Sequence, residues 1–122
     1  MPKILVIDDD EQVRALLHEI LDRAGFEVVE AANGAEGVRA YRSTPADLII
    51  TDLIMPEKEG VETILELRRE SPSVRIIAIS GGGRNGAQDY LAIAVQLGAR
   101  RVVAKPFSRQ EILDAVQAAL AP

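Results

Sequence analysis

The chain has 122 residues, of which 48% are hydrophobic and only 3% aromatic, and it carries a formal charge of −5 at pH 7 with no cysteine. That length suits one domain spanning residues 1–122, with a core of aliphatic side chains and alanine. The missing cysteines exclude a disulfide framework and thiolate metal sites, and the acidic balance makes the chain a poor candidate for direct nucleic-acid binding, which needs clustered Lys and Arg.

The N-terminal apolar stretch, residues 4–7, is too short for a signal peptide, and no run reaches membrane-spanning length. The expectation is a cytoplasmic protein without membrane insertion. The same stretch reads as a first strand. Asp10 and Glu11 then open a helix, where negative charge suits the dipole. Its apolar face is Val13, Leu16, Leu17, Ile20 and Leu21, and Gly25 ends it. Residues 27–30 form a second strand, followed by a helix marked by Ala35, Val38 and Tyr41 and stopped before Pro45. A third strand covers 47–51. A third helix carries Val61, Ile64, Leu65 and Leu67 and stops before Pro72. A fourth strand covers 74–79, a fourth helix 90–97 up to Gly98, and a fifth strand 101–104. Ser108 and Glu111 form a capping box opening a last helix with Ile112, Leu113, Val116 and Leu120 on its apolar face. The strand runs are continuous rather than alternating, as in strands buried on both faces. Five β-α repeats predict an α/β fold, a parallel sheet with helices on both faces.

Ligands of open parallel sheets bind beyond the carboxyl ends of the strands. Beyond the first strand come Asp8, Asp9, Asp10 and Glu11; beyond the third, Asp52; beyond the fourth, Ser80; beyond the fifth, Lys105 and Pro106. Clustered carboxylates raise one another's pKa, and a divalent cation relieves the conflict. Hard oxygen ligands without His or Cys favour Mg²⁺ over Zn²⁺. A carboxylate also attacks phosphorus to give an acyl phosphate. Lys105 would set a positive charge, and Ser80 a hydroxyl donor, against the phosphoryl oxygens.

The segments Ile4-Leu5-Val6-Ile7-Asp8-Asp9-Asp10, Asp52-Leu53-Ile54-Met55-Pro56 with Gly60, Ser80, and Lys105-Pro106-Phe107 together resemble the receiver domains of two-component response regulators. The resemblance runs in order over nearly the whole chain. It implies a flavodoxin-like, doubly wound (βα)5 domain with strand order 2-1-3-4-5. It implies Asp52 as phosphoacceptor, Asp9 as direct Mg²⁺ ligand, Asp8 as an acidic partner acting through water, and the Ile54 carbonyl as a further ligand. Ser80 and Lys105 become the phosphoryl-binding hydroxyl and ammonium, and the Lys105–Pro106 bond is often cis in the family. The implied partners are a sensor histidine kinase or phosphotransfer protein and a downstream effector protein or domain. The readout is a change in the loop after the fourth strand and in the face made by the fourth helix, fifth strand and fifth helix, which could also pair two copies in a homodimer. The chain is then a signalling domain rather than a turnover enzyme, limited to autocatalytic phosphorylation and dephosphorylation of Asp52.

Three features depart from that pattern. Val102 stands where the family usually carries Tyr or Phe, so an aromatic switch is unavailable. Gly81, Gly82, Gly83 and Gly86 lengthen the loop after Ser80, as a mobile switch or a simple insertion; with no Gly-Lys-Ser/Thr it is not a P-loop. The fourth helix is apolar nearly all round, which together with Val102 and Val103 suggests an interaction surface, against solvent-facing alanines. These departures motivate the alternative of a receiver-like interaction module that works without phosphorylation. His18, the sole histidine, is expected on the solvent side of the first helix, and Arg68-Arg69 and Arg100-Arg101 as solvated surface charge.

Overall fold

Aliphatic, largely β-branched runs form five parallel strands in a computed structural model, which describes residues 2–53, 59–80, 92 and 95–121. They are β1 (Lys3–Ile7), β2 (Glu27–Ala31), β3 (Leu48–Asp52), β4 (Ile76–Ser80) and β5 (Arg101–Ala104), in the order β2-β1-β3-β4-β5. The central strands β3 and β4 are buried along their whole length, because helices cover both faces. Ile4, Val6, Leu48, Ile50, Ile77 and Ile79 face α1 (Glu11–Arg23) and the C-terminal helix (Arg109–Leu120). Leu5, Ile7, Ile49, Ile76 and Ala78 face α2 (Gly34–Ser43) and α3 (Glu59–Glu70). The period-two alternation of a strand thus divides one aliphatic sheet between two cores.

Local chemistry fixes the helix ends. Asp10 caps α1 by accepting from the backbone N–H groups of Gln12 and Val13, and Asn33 caps α2 by accepting from Glu36. Ser108 and Glu111 form the expected reciprocal capping box. Gly25, at φ +95°, turns the chain out of α1 through a left-handed conformation that other residues resist. Among the described residues no helix is long and apolar enough to cross a membrane.

Several expectations need correction. Asp52 and Ser80 are the last residues of β3 and β4 rather than the first of the following loops. β4 starts at Ile76, while Val74 is buried in the turn before it. Leu16 and Leu65 do not face the core; they are 46% and 43% exposed. α1 buries Leu17, Ile20 and Leu21, and a residue one step from Leu17 lies about 100° round the helix. Arg68 and Arg100 are not simply solvated. Arg68 donates to the carbonyls of Pro72 and Gly98. Arg100 donates to those of Ala119 and Ala121, satisfying acceptors at the end of the C-terminal helix. Val103 is buried in the core, so it adds nothing to an outer surface, and Val102 packs half-buried on the α3 side. The Gly81–83 loop, Gly86 and most of the expected fourth helix lie outside the described residues; within that helix, Ala92 and Val95 are exposed.

The division of the core sets a contrast. Ile50→Ala, in the central strand, should lower the urea-unfolding free energy by about 2–5 kcal/mol, while Leu16→Ala should change it by less than about 1 kcal/mol, since its side chain is half in water already.

Candidate functional site

Strand register assembles the site. β1 and β3 pair with Ile7 beside Thr51, so Asp8 follows alongside Asp52. Asp52 lies opposite Ile79, which puts Ser80 one step further on β4. Ser80 lies opposite Ala104, and Lys105 comes next, its N–H donating to the Ser80 carbonyl at 2.8 Å. Four strands therefore deliver two buried carboxylates, a buried hydroxyl and an ammonium to one rim, joined by the exposed Asp9.

The Lys105 ammonium bridges the two buried acids. Its Nζ lies 3.3 Å from Asp8 Oδ2 and 3.3 Å from Asp52 Oδ2. Burial by itself would lower the Lys105 pKa, but the charges of Asp52 and Asp8 outweigh it and hold the pKa above the ordinary lysine value. The Lys105–Pro106 bond is cis.

Asp8 is trussed at every polar atom. Its N–H donates to the Ala31 carbonyl at 3.2 Å, its Oδ1 accepts from the Asp10 N–H at 2.8 Å, its Oδ2 meets Lys105, and its carbonyl accepts from Arg14 Nη1 at 2.8 Å. Burial nevertheless pushes the Asp8 carboxyl above the usual range, because the Asp10 N–H and Lys105 only partly offset lost hydration.

Ser80 differs from both. Its Oγ is buried and has no hydrogen-bond partner among the described residues. A buried hydroxyl without a partner costs about 1–3 kcal/mol, and a ligand acceptor at this strand end would satisfy it. Asp8, Asp9 and Asp52 each offer a carboxylate oxygen, all within 4.8 Å of one another. This all-oxygen set fits Mg²⁺, which takes few protein carboxylates and keeps several waters. Ile54, expected to add a carbonyl, lies outside the described residues, as do Met55 and Pro56.

The start of α3 presses on the same rim. A Cβ at Gly60 would lie 2.4 Å from the Asp52 carbonyl oxygen and 2.6 Å from that of Leu53, so only glycine lets the helix approach the backbone there. Arg14 was not singled out by the sequence, and neither was Glu30, whose Oε1 lies 3.3 Å from Arg14 Nε. The usable signal was Arg14 and His18 one helical turn apart on α1, but their partner lies on β2 and no local pattern links them. His18 is partly exposed, and its Nδ1 lies 2.6 Å from Glu30 Oε2, so it is ion-pair capable rather than merely solvated.

An open parallel sheet in the order β2-β1-β3-β4-β5, with acids, a hydroxyl and an ammonium at its carboxyl rim, defines a flavodoxin-like domain. The sequence matches the response regulator receiver domain family over residues 4–117, and the chain belongs to that family, the receivers of two-component systems. It is 36% identical over 119 residues to chemotaxis protein CheY of Bacillus subtilis, covering 97% of each chain. It is 31% identical to sporulation initiation phosphotransferase F of the same organism, covering 94% of this chain and 90% of that one. A receiver domain protein from Clostridium thermocellum superposes with a TM-score of 0.89 at 30% identity, covering 98% of this chain and 94% of that one. The fold class and the strand order 2-1-3-4-5 are thus as the resemblance implied.

A raised carboxyl pKa means that the folded protein holds its proton more readily than the unfolded chain. Asp8 therefore contributes less to stability as pH rises through the carboxylate range, and at pH 7 its charge opposes folding of the metal-free protein. Asp8→Asn should stabilise the metal-free protein at pH 7, with the gain shrinking toward pH 4. Urea denaturation at the two pH values in chelator measures it; a loss of stability at pH 7 would contradict the assignment.

Proposed function

We propose that the chain is a phosphorylation-dependent signalling switch, a receiver over residues 1–122 that accepts a phosphoryl group on Asp52. The donor is a phosphohistidine of a sensor histidine kinase or phosphotransfer protein. A carboxylate oxygen of Asp52 attacks phosphorus, the phosphorus–nitrogen bond of the donor breaks, and an acyl phosphate forms as the imidazole leaves. Asp8, Asp9 and Asp52 would hold Mg²⁺, with the Ile54 carbonyl as a further ligand; when bound, the ion supplies positive charge that offsets the crowded carboxylates and the phosphoryl oxygens. Lys105, released from bridging two acids, turns its ammonium to a phosphoryl oxygen, and the Ser80 hydroxyl donates to another. The observation that carries this reading is the Lys105–Asp52 pair on the same rim as Ser80, whose buried Oγ has no hydrogen-bond partner among the described residues.

The added charge shifts the population of two conformations. The readout runs through the segment after Ser80 to the face of the fourth helix, β5 and the C-terminal helix, where an effector or a second copy docks. Val102 occupies the position of the usual aromatic ring and packs half-buried on the α3 side, so the signal leaves Ser80 by a route other than a swinging ring. This observation also favours a second reading, a receiver-like interaction module without phosphorylation.

Intact mass spectrometry after incubation with a small phosphodonor and Mg²⁺ separates the two. One phosphoryl adduct is expected on the wild type, none on Asp52→Asn, and none after chelation. Lys105→Ala should still accept the group but lose the conformational response, seen as smaller amide shift changes on phosphorylation. No adduct on the wild type, under conditions that label a control receiver, favours the interaction module. Labelling of Asp52→Asn at wild-type stoichiometry places the acceptor elsewhere.

A further inference from the structure

We propose that Arg14 is a positioning residue for the metal-binding carboxylates, held in place by Glu30 and His18. The inference rests on the reading of Asp8, Asp9 and Asp52 as Mg²⁺ ligands. Arg14 belongs to the second turn of α1, and its guanidinium forks between two elements. Nη1 donates to the carbonyl of Asp8 at 2.8 Å, while Nε lies 3.3 Å from Glu30 Oε1 on β2. The second oxygen of Glu30 lies 2.6 Å from His18 Nδ1, one turn further along α1. Both oxygens of Glu30 are thereby engaged, and the carboxylate is fixed against rotation.

The peptide that Arg14 grips joins Asp8 to Asp9. Asp8 is buried and held by Ala31, Asp10 and Lys105 whatever Arg14 does. Asp9 is exposed, and among the described residues no hydrogen bond or ion pair holds its side chain. Its direction follows from the orientation of the peptide before it, and Arg14 fixes that orientation through its carbonyl. Arg14 is suited to this because one planar side chain can serve two acceptors at once; a lysine offers a single point charge and would have to choose between them. β2 supplies no ligand to the site, yet through Glu30 it contributes to the geometry of the site.

Simple electrostatics predicts the opposite sign from positioning, which makes the idea testable. Removing a cation near a Mg²⁺ site should tighten metal binding if Arg14 acts only through its charge. If Arg14 positions Asp9, removal should weaken it, as lost outer contacts to ligands do by about tenfold or more. The experiment is calorimetric titration of the full chain with Mg²⁺ alone, with unfolding free energy measured in parallel. Arg14→Gln is expected to weaken Mg²⁺ binding about tenfold and to shift the Asp9 and Asp10 backbone amides in the metal-free protein. Arg14→Lys should bind nearly as poorly despite keeping the charge. Glu30→Gln should weaken binding less, and adding it to Arg14→Gln should produce no further loss, because both act through one contact chain. Should Arg14→Gln prove too unstable to titrate, Arg14→Lys and Glu30→Gln carry the test. Unchanged or tighter binding by the Arg14 variants, with wild-type binding intact and lost in Asp9→Asn, overturns this inference alone. A wild type that binds no Mg²⁺ overturns it together with the reading beneath it.

Discussion

The structure depends on one electrostatic arrangement, a lysine ammonium set between two carboxylates at the edge of a buried sheet. Asp8 and Asp52 are almost wholly withdrawn from water and would repel each other across the strand pair. Lys105 lies 3.3 Å from both, and their charges hold its pKa above the ordinary lysine value despite burial. One cation against two buried anions leaves net negative charge on the rim, and Asp9 adds to it. Burial raises the Asp8 carboxyl in spite of its hydrogen bonds. A domain built for stability alone would not concentrate acids there, whereas a site proposed to take up a metal cation is served by this imbalance.

The fold supplies the precision. Parallel pairing sets β1, β3, β4 and β5 in register, so side chains from residues 8, 52, 80 and 105 converge although nearly a hundred positions separate the first from the last. The aliphatic core below, split into two by strand alternation, gives these strand ends a rigid base. Gly60 lets α3 begin against the backbone of Asp52 and Leu53. Lys105, through its own N–H, is tied to the carbonyl of Ser80. The backbone positions of these rim residues are thus set by the sheet itself.

Much of this was legible in the sequence. Continuous β-branched runs, glycine and proline stops and the Ser108–Glu111 box marked the elements, since each depends on local backbone chemistry. The residues of the rim were legible because a parallel sheet presents the carboxyl ends of its strands together. Less visible was everything set by contacts between elements. Leu16 looks like a core residue in a helical pattern, yet whether it is buried depends on what packs over it. Arg68 and Arg100 look like surface charge until the carbonyls they serve are known. Arg14, Glu30 and His18 form one cluster only because α1 lies across β2, which no short motif records.

The central question is whether the rim residues act on one phosphoryl group together. A crystal structure of the chain with Mg²⁺ and a tetrahedral phosphoryl mimic tests this most directly. The mimic should sit on an Asp52 carboxylate oxygen, with Ser80 Oγ and Lys105 Nζ each at hydrogen-bonding distance, about 2.7–3.0 Å, from its outer atoms. A mimic bound away from Asp52, or Ser80 Oγ still without a partner while Lys105 bridges the two acids, would contradict it.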